Sequence, residues 1–127
     1  MTTSAAIHKK GVKARQQVLG AERESERMSQ EDGFSMPLRD FTTRYVWGEV
    51  WARKGLPRKT RCLLNIGMLT AMKCESELKS HVRGALLNGC SKNEIREVLL
   101  QCAVYCGVPA MRASLRVVRQ VFAEKKK

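Results

Sequence analysis

The chain has 127 residues, 43% hydrophobic and 28% charged, the composition of one ordinary globular domain. Its longest strongly apolar run, Leu63 to Met72, contains Asn65 and Thr70 and is far too short to cross a bilayer, so no membrane is expected as a partner. A formal charge of +12 invites nucleic acid, but the positives are spread over the whole chain with no finger spacing or RNA-binding aromatic motif. The preferred reading is therefore a solvated basic surface that draws in small anions, with no nucleic-acid partner.

Every long periodic segment has helical spacing, and none alternates as a strand should. A first helix is expected over about Ala5 to Leu19, stopped by Gly20. Residues 1–20 carry four Lys/Arg and no acid, a faint likeness to a mitochondrial presequence; a basic surface helix is the favoured alternative. Residues 21–36 are polar and contain the turn signal Asp32-Gly33, so they form a loop, or a short helix followed by one. Pro37 suits the first turn of a helix through about Ala52. Phe41, Tyr45 and Glu49 fall in one i, i+4 row of it, assigned to the inner face.

Gly55 ends that helix and Pro57 opens the next, to about Lys73. Leu63, Leu64, Ile66, Met68, Leu69 and Met72 surround its circumference, which marks a central helix. A helix from about Ser76 to Asn88 buries Leu78, Val82, Ala85 and Leu86, with Gly89 as its stop. Ser91-Lys92-Asn93-Glu94 reads as a capping box opening a helix with Ile95, Val98, Leu99, Cys102 and Cys106 inside. After Gly107-Val108-Pro109 a last helix places Met111, Leu115, Val118 and Phe122 inward, and the Lys125–Lys127 tail meets the negative end of its dipole. The expectation is a single all-α domain over residues 1–127, with five to six helices: an N-terminal helix and loop (1–36) and a helical core (37–124). Its apolar faces, with Trp47, Trp51, Val104 and Tyr105, exceed what a small monomer hides, which points to burial between subunits.

Five cysteines, an odd number with no C-x-x-C, read as reduced thiols in a cytosol. Cys62, Cys90, Cys102 and Cys106 look like small core fillers. Cys74, near a helix start, is the one whose position favours a thiolate. Zinc lacks a second close ligand pair, so no metal is expected.

The stretch Glu49 to His81 joins five basic residues (Arg53, Lys54, Arg58, Lys59, Arg61), an apolar helix and one imidazole. Those are the needs of acid–base chemistry on a small anion. His81, on the edge of a buried stripe, is either a proton donor near neutrality or a core histidine bonded to a carbonyl. Glu49 either orients His81 or relays the proton, or else pairs with Arg53 one turn on. Arg44 and Arg61 are the candidates for gripping carboxylates bidentately. Trp47 and Trp51 fit core or interface better than ring stacking. Tyr105 either donates to an oxyanion or is a buried tyrosine bonded to a carbonyl.

Gly11 through Gly20, Asp40 through Trp51, Arg58-Lys59-Thr60-Arg61, Leu63 through Leu69, His81 through Leu86 and Val104 through Ala110 together resemble the carboxymuconolactone decarboxylase family, in order and over nearly the whole chain. The resemblance implies an all-helical subunit of the alkylhydroperoxidase D-like type, assembled into trimers or hexamers. It implies cofactor-free decarboxylation of a carboxylated lactone in the β-ketoadipate route of aromatic-acid breakdown. His81 and Glu49 would then serve catalysis, and Arg44, Arg61, Trp47 and Tyr105 the substrate. The wider family includes thiol antioxidants with a helix-borne C-x-x-C-x-x-x-H and a glutamate one helix earlier. On that pattern Cys74 takes the first cysteine, Glu77 the second, His81 the histidine, and Cys62 stands where the glutamate should be. Two of the four positions differ, and no disulfide can form within the motif, which favours the decarboxylase branch. A thiol peroxidase using Cys74 and a non-catalytic oligomeric binding protein remain the alternatives.

Overall fold

The structure is a computed structural model describing residues 3–124. Among these residues it holds seven α-helices, one π-helix and no strand. The all-α expectation holds. The helix count exceeds the expected five to six because the stretch after Gly20 takes its short-helix alternative and the helix expected from Pro37 is divided into an α and a π segment. The Lys125–Lys127 tail lies outside the described residues. The chain packs as two compact units that divide between Arg58 and Lys59.

The first unit opens with α1 (Ser4–Leu19), whose first turn is capped by Thr3 Oγ1 accepting the Ala6 N–H at 3.1 Å. Gly20, at φ 95°, ends α1 and leads at once into α2 (Ala21–Ser29). Asp32 accepts the N–H groups of Phe34 and Ser35, a tight turn that leads into α3 (Met36–Thr42). The helix does not stop at Thr42. It widens into a π-helix over Thr43–Trp51, whose turns close on the carbonyl five residues back, as Ala52 N does to Trp47 O at 3.0 Å.

That widening corrects the expected inner face. Thr43, Trp47 and Trp51 are the buried row. Phe41, Tyr45 and Glu49 point outward, with the Phe41 and Tyr45 rings 4.8 Å apart on the surface. The π-helix and α1 cross almost backbone to backbone. A Cβ at Gly11 would stand 2.0 Å from the Thr43 carbonyl oxygen, and one at Gly48 would stand 2.5 Å from that of Ile7. Behind this crossing Glu24 is only 3% exposed and is held by Arg15 at 2.9 Å, Arg27 at 2.8 Å and Arg39 at 2.7 Å. Burial alone would push its carboxyl up, but the hydrogen bonds from Arg39 and Arg27 and the attraction of Arg15 outweigh it and hold the carboxyl below its ordinary value.

The second unit holds most of α4 (Arg58–Met72), then α5 (Glu75–Leu87), α6 (Lys92–Tyr105) and α7 (Val108–Phe122). The Ser91–Glu94 capping box is present with both bonds made, at 3.0 and 2.9 Å. Gly89, at φ 92°, ends α5. Cys62, Ile66 and Thr70 of α4 are buried. So are Leu78, Val82 and Ala85 of α5 and Ile95, Leu99 and Cys102 of α6. Ser114 Oγ donates to Thr70 Oγ1 at 2.8 Å, and Thr70 in turn donates to the Ile66 carbonyl. The buried stripe of α7 is Ala110, Ser114, Val117, Val118 and Val121, displaced by about one residue from the expected one. Small residues thus form the contact row, and Met111, Leu115 and Phe122 straddle its edge.

Two further expectations are corrected here. α4 is not covered all round, since Leu64, Met68 and Met72 are exposed within the chain. Cys106 and Tyr105 are exposed as well, because α6 ends there and Gly107, at φ 97°, turns the chain away.

Candidate functional site

Each unit contributes its own set of polar side chains. In the first unit Ser4, Ile7, Arg44, Tyr45 and Glu49 line a cleft of about 180 Å³. That is smaller than a typical ligand pocket of about 300–1,000 Å³. Arg44 and Glu49 stand five residues apart. In an α-helix this spacing would turn them roughly 140° from each other; the i→i+5 geometry of the π-helix stacks them on one side. Neither makes a hydrogen bond or ion pair with another described residue. The Glu49–Arg53 pair, one of the two alternatives for Glu49, is not among the ion pairs of the described residues.

Trp47 takes the core role foreseen for it. It is buried, stacks on Trp51 with centroids 4.9 Å apart, and lies under the Arg15 guanidinium at 5.7 Å. Arg15 thereby ties the tryptophan pair to Glu24. The charged members of this cluster, Arg15, Glu24, Arg27 and Arg39, were not singled out from the sequence. Glu24 and Arg27 are visible as an i, i+3 pair, but Arg15 and Arg39 reach them from other helices.

In the second unit, Arg61 and Asn65 lie one turn apart on the same side of α4. The Nε of Arg61 is buried and has no hydrogen-bond partner among the described residues, an uncommon state for a guanidinium nitrogen. The side-chain amide of Asn65 approaches His81 Nδ1 at 3.4 Å. His81 is half-buried on α5. Asn65 is a further residue that sequence reasoning passed over. The signal available was an amide standing alone in the run Leu63-Leu64-Asn65-Ile66-Gly67-Met68.

Cys74 is the N-cap position of α5, half-buried, with its Sγ 3.7 Å from the Met72 carbonyl. Cys62, Cys90 and Cys102 are buried core thiols as expected, and burial pushes those of Cys90 and Cys102 up, away from the thiolate. Tyr105 stands 80% exposed, so the buried-tyrosine alternative does not hold.

Residues 37–120 match the model of the carboxymuconolactone decarboxylase family. The chain is 38% identical to a 4-carboxymuconolactone decarboxylase of Acinetobacter baylyi over 92% of its own length and 87% of that protein's. It is 40% identical to a nitrosuccinic acid decarboxylase of Metarhizium robertsii over 87% of its own length and 77% of that protein's. The chain belongs to the carboxymuconolactone decarboxylase family.

Proposed function

We propose that this protein is a cofactor-free decarboxylase acting on 4-carboxymuconolactone, or a closely related carboxylated lactone, in the cytoplasmic breakdown of aromatic acids. The similarity to a 4-carboxymuconolactone decarboxylase over nearly the whole chain carries the reading. Nitrosuccinic acid, named for the other relative, shares two chemical elements with the lactone: two carboxyl groups and a neighbouring group able to accept an electron pair.

On the lactone, the bond from the γ ring carbon to its carboxylate breaks, and CO2 leaves without the electron pair. That pair moves through the ring double bond to the carbonyl oxygen and forms a dienolate. A proton delivered to the ring carbon beside the carbonyl gives the enol-lactone. The ring is its own electron sink, so the protein supplies cations for the carboxylate that stays, a donor for the oxyanion, and a proton.

His81 is the proposed proton donor. Arg61, whose buried Nε lacks a partner, is the proposed grip on the remaining carboxylate. Arg44 and Glu49 are proposed for substrate binding and proton relay; their unpaired state in the cleft supports this. Tyr105 is proposed as an oxyanion donor. A homo-trimer or homo-hexamer is part of the proposal. Exposed Leu64, Met68 and Met72 on α4 and exposed Val104 and Tyr105 on α6 support it.

A coupled assay of CO2 release from 4-carboxymuconolactone tests the reading. His81→Gln keeps a polar side chain but cannot transfer a proton near neutrality, so turnover should fall by about 10²–10⁴. Arg61→Ala should mainly raise KM. Cys74→Ser should change little. If Cys74→Ser abolishes turnover while His81→Gln leaves it intact, a thiol peroxidase reading replaces this one.

A further inference from the structure

An asparagine in the middle of an apolar helix is a costly choice. It is a poor helix former, and its amide loses hydration when it is half-buried. Asn65 lies between Leu64 and Ile66, where a leucine or alanine would serve the helix better. What it has in exchange is His81: its Nδ2 stands 3.4 Å from the Nδ1 of the ring. An amide nitrogen can only donate. The ring nitrogen facing it must therefore accept, and a neutral imidazole that accepts at Nδ1 carries its proton on Nε2.

We infer that Asn65 is a positioning residue that holds the resting, neutral His81 in the Nε2–H tautomer, so that Nε2 is the ring nitrogen presented to the substrate. The inference rests on the proposed role of His81 as donor. The contact is long for a hydrogen bond, as such contacts often are before a substrate tightens them. Asn65 acts through His81 and does not touch the reacting atoms. It decides which ring nitrogen faces the substrate with its hydrogen, and it fixes the plane in which the ring stands.

The test reads the tautomer and the kinetics separately. Protein labelled with ¹⁵N-histidine is examined at a pH where both of its imidazoles are neutral, and the His81 signals are assigned by their loss in His81→Gln. The wild type should show an unprotonated Nδ1 and a protonated Nε2. Asn65→Asp, which keeps the shape but offers only acceptors, should move the proton to Nδ1. Asn65→Leu, of similar size and without polar atoms, should show a mixture of the two forms, and it keeps the test open if the aspartate variant folds poorly. In the CO2 assay both variants should lose kcat with KM little changed, Asn65→Asp approaching the loss of about 10²–10⁴ set by His81→Gln. A wild-type His81 protonated on Nδ1, or a tautomer indifferent to residue 65, overturns the inference. So does full kcat in Asn65→Asp when His81→Gln is dead, an outcome that leaves the proposed function standing. Full activity in His81→Gln sinks the function reading instead, whatever the spectrum shows.

Discussion

Gly11→Ala isolates the closest approach in the fold. The added methyl would meet the Thr43 carbonyl oxygen at 2.0 Å, its carbon at 2.9 Å and the Gly48 nitrogen at 3.0 Å. All three are backbone atoms, so no side-chain rotation relieves the clash. An ordinary carbon–oxygen contact needs about 3.3 Å, so α1 and the π-helix must part by roughly 1.3 Å. Gaps of that size forfeit a large share of the dispersion attraction along a packed face. Overpacking typically costs about 1–3 kcal/mol, and a clash with backbone belongs at the top of that range. The alanine returns about 0.5–1 kcal/mol through its helix preference. The net loss is about 2 kcal/mol, or roughly 6–10 °C in melting temperature for a chain of this size. Urea unfolding followed by tryptophan emission reads the region directly, because both tryptophans, Trp47 and Trp51, are buried in that π-helix. Gly67→Ala is the control of opposite sign. Its methyl would find only the Val98 side chain at 3.7 Å and the Cys102 sulfur at 4.0 Å, so about 0.5–1 kcal/mol of stabilisation should appear. A Gly11→Ala protein as stable as the wild type would refute the reasoning.

Glu24 should govern acid stability. Its carboxyl is held low in the folded state, so its contribution is fully present above the ordinary glutamate value of about 4.3 and is lost as pH falls through the lower folded value. Denaturation midpoints at pH 7, 4 and 3 should show Glu24→Gln weaker by about 3–5 kcal/mol at pH 7, where three arginines lose their shared partner, and flatter in its acid dependence. A variant that matches the wild type at pH 7 would contradict this. In sedimentation at micromolar concentration the chain should run as an oligomer; a monomer with its helices intact would contradict the reading of the exposed α4 and α6 side chains. Decarboxylation should survive exhaustive chelation and dialysis, and recovery of lost activity with one added metal would overturn the cofactor-free chemistry.

Signals confined to a few neighbouring residues were legible in the sequence. Gly20, Gly89 and the Ser91–Glu94 box end or begin helices where expected, because each acts on groups within a turn of itself. Signals that depend on the partner helix were not. The α7 stripe is displaced because α7 packs through Ala110, Ser114 and Val117 rather than through its largest side chains. The row Phe41, Tyr45, Glu49 is a good α-helical stripe, but the segment from Thr43 is not α-helical, and nothing in a stretch of nine residues distinguishes the two patterns. Of the residues proposed for the site, residue chemistry marked His81 and Arg61. Asn65 was hidden in an apolar run, because its meaning depends on α5 standing beside α4.

The π-helix connects packing to chemistry in the first unit. Long i→i+5 stretches are rare, since the wide turn gives up packing along the axis, and they recur at functional sites. Here Gly11 meets both Thr43 and Gly48, the two ends of one such turn, so α1 presses on the backbone where the widening begins. One residue further on, the same spacing sets Arg44 beside Glu49, and α1 supplies Ser4 and Ile7 to the cleft they line. Gly48 in turn faces the Ile7 carbonyl, which belongs to a residue lining that cleft. The close crossing and the cleft are therefore one construction. Any substitution that drives α1 away also withdraws a wall of the cleft. If the cleft lined by Arg44 and Glu49 binds the proposed substrate, Gly11→Ala should accordingly weaken that binding by more than its loss of stability alone accounts for. Kinetics at a temperature where the variant is fully folded would measure this as a raised KM, and an unchanged KM there would separate the cleft from the crossing.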